Sequence, residues 1–413
     1  MKSMNYHFPK PEKKITLLEQ HGYKREDPYF WLKDRKNPQV LDYLKKENEQ
    51  TEKFFSIHKG LIDGLFNELK SRTAENEDSA PVVKGQYSYW ARYQKGMEQR
   101  QYVRKLLTTG AEELILDENE LAKGHEFIQC LGPNMSPSQN IMAYAVDVQG
   151  RRFYNIYFKD LTTGKTFDFK LENVTGDIAW AADNEHLFYT RQDPETLRAY
   201  QVYRLHLPTH KSTLIYEEKD PEFSVDVAKS LSEKYIFMSI SHLQTAEARY
   251  LRADQPTTDF KILRPRIKGV SDYLVDGGDA FYLMTDEKAP NRKLIKVPYT
   301  VKSPHDWVEI LAHRTDVYLS DVDAIEGFLI VSERKEGLTQ IRVMDNKTHE
   351  SRYVKFEDPA YTAGTSISGE FKRKSIRITY ESPRVPEKTL DLSLKDLSQT
   401  LVKQSKVPNF NAE

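Results

Sequence analysis

One cysteine in 413 residues, Cys130, is too few for an internal disulfide. Packing and hydrogen bonds must hold the fold, and a reducing compartment, the cytoplasm, is the expected location. Long hydrophobic runs are missing too. The opening MKSMNYHFPKPEKK has no apolar core for a signal peptide, and no segment approaches a transmembrane span, so no membrane partner is expected. Neither sign of charge is in excess: 61 Lys plus Arg stand against 62 Asp plus Glu, for a formal net charge of −1. No overall field draws nucleic acid, and an electrostatic partner has to be recognised locally. The eleven histidines are scattered. His206 and His210 have a helical metal spacing, but Pro208 between them breaks such a helix, so no metal and no cofactor is expected. Cys130 itself reads as a small packing residue.

What is present is a repeat. In GDIAWAADNEHLFYTRQDPETLRAYQVYRLHLP, Gly176 to Pro208, a short apolar run at Ile178–Trp180 is stopped by the turn pair Asp183-Asn184. Leu187–Thr190 then alternates, Gln201–Leu205 alternates strictly after Asp193-Pro194, and Leu214–Tyr216 completes a hairpin. Copies of the second strand recur around Tyr89, Tyr144, Tyr189, Met238, Leu283, Ile330 and Thr379. From Tyr144 onward the spacing is roughly 45 to 50 residues, the period of a propeller blade. The hairpin recurs in register from Gln101–Leu116 to Thr389–Val402. The expected fold is all-β, a seven-bladed β-propeller of four-stranded antiparallel blades over residues 80–403. A pair of β-sandwiches would not require the fixed period. No N-terminal strand completes the last blade, so the ring is expected to close by apolar contact alone.

Residues 1–79 form an N-terminal arm and helices. REDPYFWLKD, Arg25 to Asp34, sets three aromatics beside Asp-Pro, as suits an anchored turn. Asn37 and Pro38 signal a helix start. A second helix from Gly60 to Arg72 carries Leu61, Ile62, Leu65, Phe66 and Leu69 as one stripe. TAENEDS, Thr73 to Ser79, reads as a linker into the first blade, and residues 404–413, with VPNF at Val407 to Phe410, leave the array as a short extended piece.

REDPYFWLKD resembles the Asp-Pro-Tyr-x-Trp-Leu signature of the oligopeptidase B branch of the prolyl oligopeptidase family of serine peptidases. The likeness continues through VLDYLKKEN, SPSQNIMAYAVDVQGRRFYNIYFKDLTTG, AYQVYRLHL, LIYEEKD, RKEGLTQIRV and FEDPAY, across essentially the whole chain. It implies a propeller that covers an α/β-hydrolase domain and restricts access to short peptides. It further implies cleavage after Arg or Lys, and N-terminal helices that belong with the hydrolase.

The departure from the family decides the function. Its hydrolase half, with Ser on a Gly-x-Ser-x-Gly elbow followed by Asp and His, has no counterpart here. The nearest match, Gly364-Thr365-Ser366-Ile367-Ser368-Gly369, ends in Ser-Gly and starts a blade strand with no helix after it. No catalytic residue is therefore assigned, the α/β-hydrolase domain is absent, and the chain alone is expected to be inactive. Glu126 in GHEF and Arg151-Arg152 in VQGRRFY lie where the family pattern also carries charge. They are candidate interdomain or substrate-gate residues, against the plainer reading of solvated surface charge. The expected partners are the hydrolase domain, short peptides, and a second copy paired through the N-terminal helices. A freestanding propeller serving as a protein-binding platform is the alternative function.

Overall fold

A computed structural model describes residues 8–300, 304–408 and 410. Parts of the expected arm and exit lie outside the described residues. The chain divides into one unit of residues 1–74 with 407–411 and another of 75–406 with 412–413.

In the first unit, Thr16–Gln20 pairs with Tyr23–Asp27 across His21-Gly22. Both turn residues have positive φ, 54° and 79°, which suits a two-residue hairpin turn. Sequence alternation missed this hairpin. Trp31 Nε1 donates to Glu12 O at 3.0 Å, tying the aromatic turn to the preceding arm. Helix α1 (Pro38–Ser56) starts as expected: the Asn37 side chain accepts from Gln39 N at 3.0 Å, and Pro38 fills the first position. In helix α2 (Lys59–Ser71) the apolar stripe stays open, with Leu61 64% and Leu69 68% exposed.

The second unit is a β-propeller, but the expectation of seven separate four-stranded blades is corrected. Five sheets stand alone as blades: four have four strands and the first has five. Seven further strands, from Gln129–Met135 to Lys211–Glu217, form one continuous sheet. They are fused by the 15-residue strand Thr166–Trp180, whose Val174 pairs with Tyr154 on one side and Arg191 on the other. Elsewhere a loop, or after the first sheet the short helix Glu118–Ala122 and the loop that follows it, separates one sheet from the next, and Pro221, Pro265 and Pro359 stand in three of those loops. A proline cannot donate to a ladder, so it ends pairing. Between Leu171 and Ile178 there is no proline, and the chain passes through an irregularity with positive φ at Asn173 and Gly176 instead of a loop. The expected linker is also corrected at its end, since Glu77–Asp78 pairs with Tyr93 and Arg92 as a strand.

Strand alternation puts apolar side chains between successive sheets, and that is where the core lies. Phe281, 1% exposed, is ringed by Tyr235, Phe237, Tyr250 and Tyr299 from two adjacent sheets. Ring closure uses polar contacts, against the expectation of apolar contact alone. Arg377 Nη1 donates to Pro81 O at 2.6 Å, Gly85 N donates to Glu370, and Lys403 pairs with Glu77.

Candidate functional site

Strand direction sorts the loops of this unit onto two ends. In an antiparallel sheet the turn from first to second strand lies at one end and the turn from second to third at the other. Arg151 and Arg152 sit in the second kind of turn, between Ile141–Asp147 and Tyr154–Asp160. Glu126 precedes the first strand of the same sheet, so it lies at the same end.

All three side chains are exposed, and none makes an ion pair among the described residues. Their backbone is well held. Buried Asp147 accepts from the amides of Gln149 (2.7 Å), Gly150 (3.1 Å) and Arg152 (2.6 Å), which fixes Arg152 at φ 60°. The Arg151 guanidinium lies 5.5 Å from the Phe153 ring. Gly150 has φ +71°, and a Cβ there would meet the Phe127 ring at 3.6 Å, so the Glu126 and Arg151 loops touch. The result is a positioned set of free charges on one rim.

The first strands of several sheets line two adjoining cavities of ≈ 480 and ≈ 410 Å³ that share Ala228 to Leu231, and the second cavity also reaches Phe237–Ser239 and Ala248–Arg249 on the second and third strands of one sheet. In Ser224–Lys229 the alternation turns Val225 and Val227 into the core and leaves Asp226 facing the cavity. Burial by the cavity walls, with Asp177 nearby, pushes the Asp226 carboxyl up to about 6, although its surface remains reachable by water. Asp323 is pushed to about 6 by burial and by Asp321. Tyr273 rises to about 12 through burial and the charges of Asp321, Asp323 and Asp226. The sequence held a signal for Asp226, a polar residue at the inward phase of a strand, but it did not say which strand was innermost.

Buried ion pairs clasp one sheet to the next near the rim. Arg264 Nε reaches Asp272 at 3.1 Å, and Arg266 pairs with Glu218. Within a single sheet, Glu333, fully buried, takes Arg342 Nε at 3.0 Å and Tyr353 Oη at 2.8 Å from the two strands that follow its own.

Ser366 ends the edge strand Thr362–Ser366 opposite Arg377, with no following helix to strain it. The hydroxyl–histidine–carboxylate chain that does occur, Thr209 to His206 (2.7 Å) to Glu185 (3.4 Å), lies on an exposed 3-10 turn. His210 stacks on Phe169 with ring centroids 4.3 Å apart. Burial, with Glu118 beside it, pushes the Cys130 thiol up to about 12, so it stays an inert thiol. Among the described residues no helix is long and apolar enough to cross a membrane.

The family model described as prolyl oligopeptidase, N-terminal beta-propeller domain, matches residues 9–405. The chain belongs to this family. Dipeptidyl aminopeptidase BI of Pseudoxanthomonas mexicana is 31% identical over 95% of this chain and 57% of its own length. Protease 2 of Moraxella lacunata is 30% identical over 91% of this chain and 55% of its own. Oligopeptidase B from Leishmania major superposes with a TM-score of 0.92 at 29% identity, covering 99% of this chain and 62% of that one. The chain thus spans a little over half the length of the curated relatives it matches. The resemblance carried by REDPYFWLKD and the stretches after it holds for this prolyl oligopeptidase propeller.

Proposed function

We propose that this chain is the non-catalytic, substrate-gating part of an oligopeptidase B-like serine endopeptidase. In this reading an α/β-hydrolase domain supplies nucleophile, base and oxyanion donors, and the propeller limits access to short peptides cleaved after Arg or Lys. The free charges of Glu126, Arg151 and Arg152 pair with that domain and hold the closed, active arrangement.

The observation that carries the reading is the open face of α2, where Leu61, Leu65, Phe66 and Leu69 are each more than half exposed. An apolar stripe of that kind marks an interaction surface. The test is size-exclusion chromatography with light scattering of the chain mixed with a separately produced α/β-hydrolase domain of a relative. A one-to-one complex, lost in Leu65→Asp with Phe66→Asp while circular dichroism is unchanged, supports the reading. A homodimer of the chain that the same variant dissociates would assign the face to a second copy. A monomer that ignores the hydrolase would favour the freestanding binding platform.

A further inference from the structure

Alternation along Ser224–Lys229 sets Lys229 in the same phase as Val225 and Val227, so its stem runs on the apolar side of the strand and its side chain is only 16% exposed. The strand ends there. In the turn that follows, Glu233 N donates to Ser230 O at 2.9 Å and Glu233 takes φ 62°, which brings its carboxylate back to the strand end.

Two ammonium groups claim this one carboxylate. Lys84 Nζ lies 2.7 Å from Glu233 Oε1, a chord between two sheets that the seven-stranded sheet separates. Lys229 Nζ lies 3.7 Å from Oε2, beyond hydrogen-bond length, and makes no hydrogen bond among the described residues. Lys234, next in the turn, reaches Gly278 O instead. On the walls of the two cavities Asp272 pairs with Arg264, Arg249 with Glu247, and Asp276 accepts from Tyr299. Asp177, Asp226 and Asp323 form no ion pair with Lys229 among the described residues.

Lys229 lines both cavities, and Leu131, Met135, Ile178, Val227 and Leu231 give the first an apolar wall. Burial holds the Lys229 amine below the ordinary lysine range, with Glu233 opposing the effect and Lys84 adding to it. A lysine desolvated beside another cation is the arrangement that frees an amine for attack on a carbonyl. Lys159 has the burial without the rest: its Nζ donates to Ile115 O at 2.8 Å, and it lines neither cavity.

We propose that Lys229 is a nucleophilic amine that captures a small uncharged aldehyde with an apolar body as an imine. The Nζ lone pair adds to the carbonyl carbon, and one N–H proton passes to the oxygen. The second N–H proton then leaves with the hydroxyl as water, so C=N replaces C=O and no electrons are exchanged. Glu233, 3.7 Å from Nζ, is the group placed to carry those protons. The walls set the ligand class. Leu131, Met135 and Ile178 suit an apolar body, Asp177 repels an anionic one, and Lys84 repels a cationic one. The inference does not depend on the presence of a hydrolase domain.

The test is reductive trapping on the intact chain, with benzaldehyde and cyanoborohydride, each modified lysine being located by peptide mass spectrometry. At neutral pH Lys229 should be trapped about tenfold faster than the exposed Lys24 and Lys372, and faster than Lys159. The midpoint of its rate against pH should lie below that of Lys24. Lys84→Met removes the second cation and leaves Glu233 to Lys229, so it should raise that midpoint, a readout that altered access alone would not move. Glyoxylate, a small anionic aldehyde, should lose the preference for Lys229 over Lys24. A Lys229 rate no higher than that of Lys24, a rate matched by Lys159, a midpoint unmoved by Lys84→Met, or a preference for glyoxylate would overturn the proposal.

Discussion

Lys403 Nζ lies 2.6 Å from Glu77 Oε1, so the first and last strands of the propeller unit are joined at one rim by a side-chain pair. With Arg377 on Pro81 O, this closes the ring without exchanging a strand. Both partners are part-exposed, so the pair is worth about 0–1 kcal/mol. Lys403→Glu should therefore leave the urea midpoint nearly unchanged, while amides of Glu77–Asp78 and their partners exchange faster in native-state hydrogen exchange. A global destabilisation matching the local one would show that the seam opens only with the whole unit.

Phe281 is packed by aromatic rings at centroid distances of 4.8 to 5.9 Å. Phe281→Ala removes that ring from between two sheets and should cost about 3–5 kcal/mol in chemical denaturation. A loss below about 1 kcal/mol would mean that the two sheets collapse around the gap.

Asp226 makes stability depend on pH. Its carboxyl titrates near 6 in the folded chain and at the ordinary 3.8 when exposed. Between those values the folded state holds more protons, so this group's contribution falls as pH rises through the window and stays unfavourable above it. A shift of that size corresponds to about 3 kcal/mol undamped, and solvent access to Asp226 brings the expected penalty to about 1 kcal/mol. Asp226→Asn should then stabilise the chain at pH 8 and by visibly less at pH 5, read from urea midpoints. An equal effect at both pH values would contradict this.

Arg151 and Arg152 should matter to activity and not to folding. Reversal of either charge in a full-length enzyme is expected to lower kcat/KM by about tenfold, as for a lost charge pair between domains. The melting temperature of the chain alone should not move, since the turn is held by Asp147 and the backbone. Equal loss of stability in the chain alone would assign these arginines to the fold.

Legibility in the sequence followed the local signals. Alternation with Asp183-Asn184 located the strands His186–Gln192 and Ala199–His206, and Asn37-Pro38 located the start of α1. The separation of sheets failed at Thr166–Trp180 because Asn173 and Gly176 look like turn residues but act as a bulge within one strand. The hairpin at Thr16–Asp27 was missed because TLLEQ and YKRED do not alternate, and its own unit leaves most of it exposed. The rim charges were legible as charges in loops. The Lys84–Glu233 chord was not, because it joins sheets that are neither adjacent in sequence nor in the ring.

The central claim is tested most directly by hydrolysis of a fluorogenic peptide with Arg before the leaving group. The purified chain alone should be silent, and the chain mixed with a separately expressed hydrolase half should cleave. Cleavage by the chain alone would contradict the account and direct attention back to Ser366 and the two cavities.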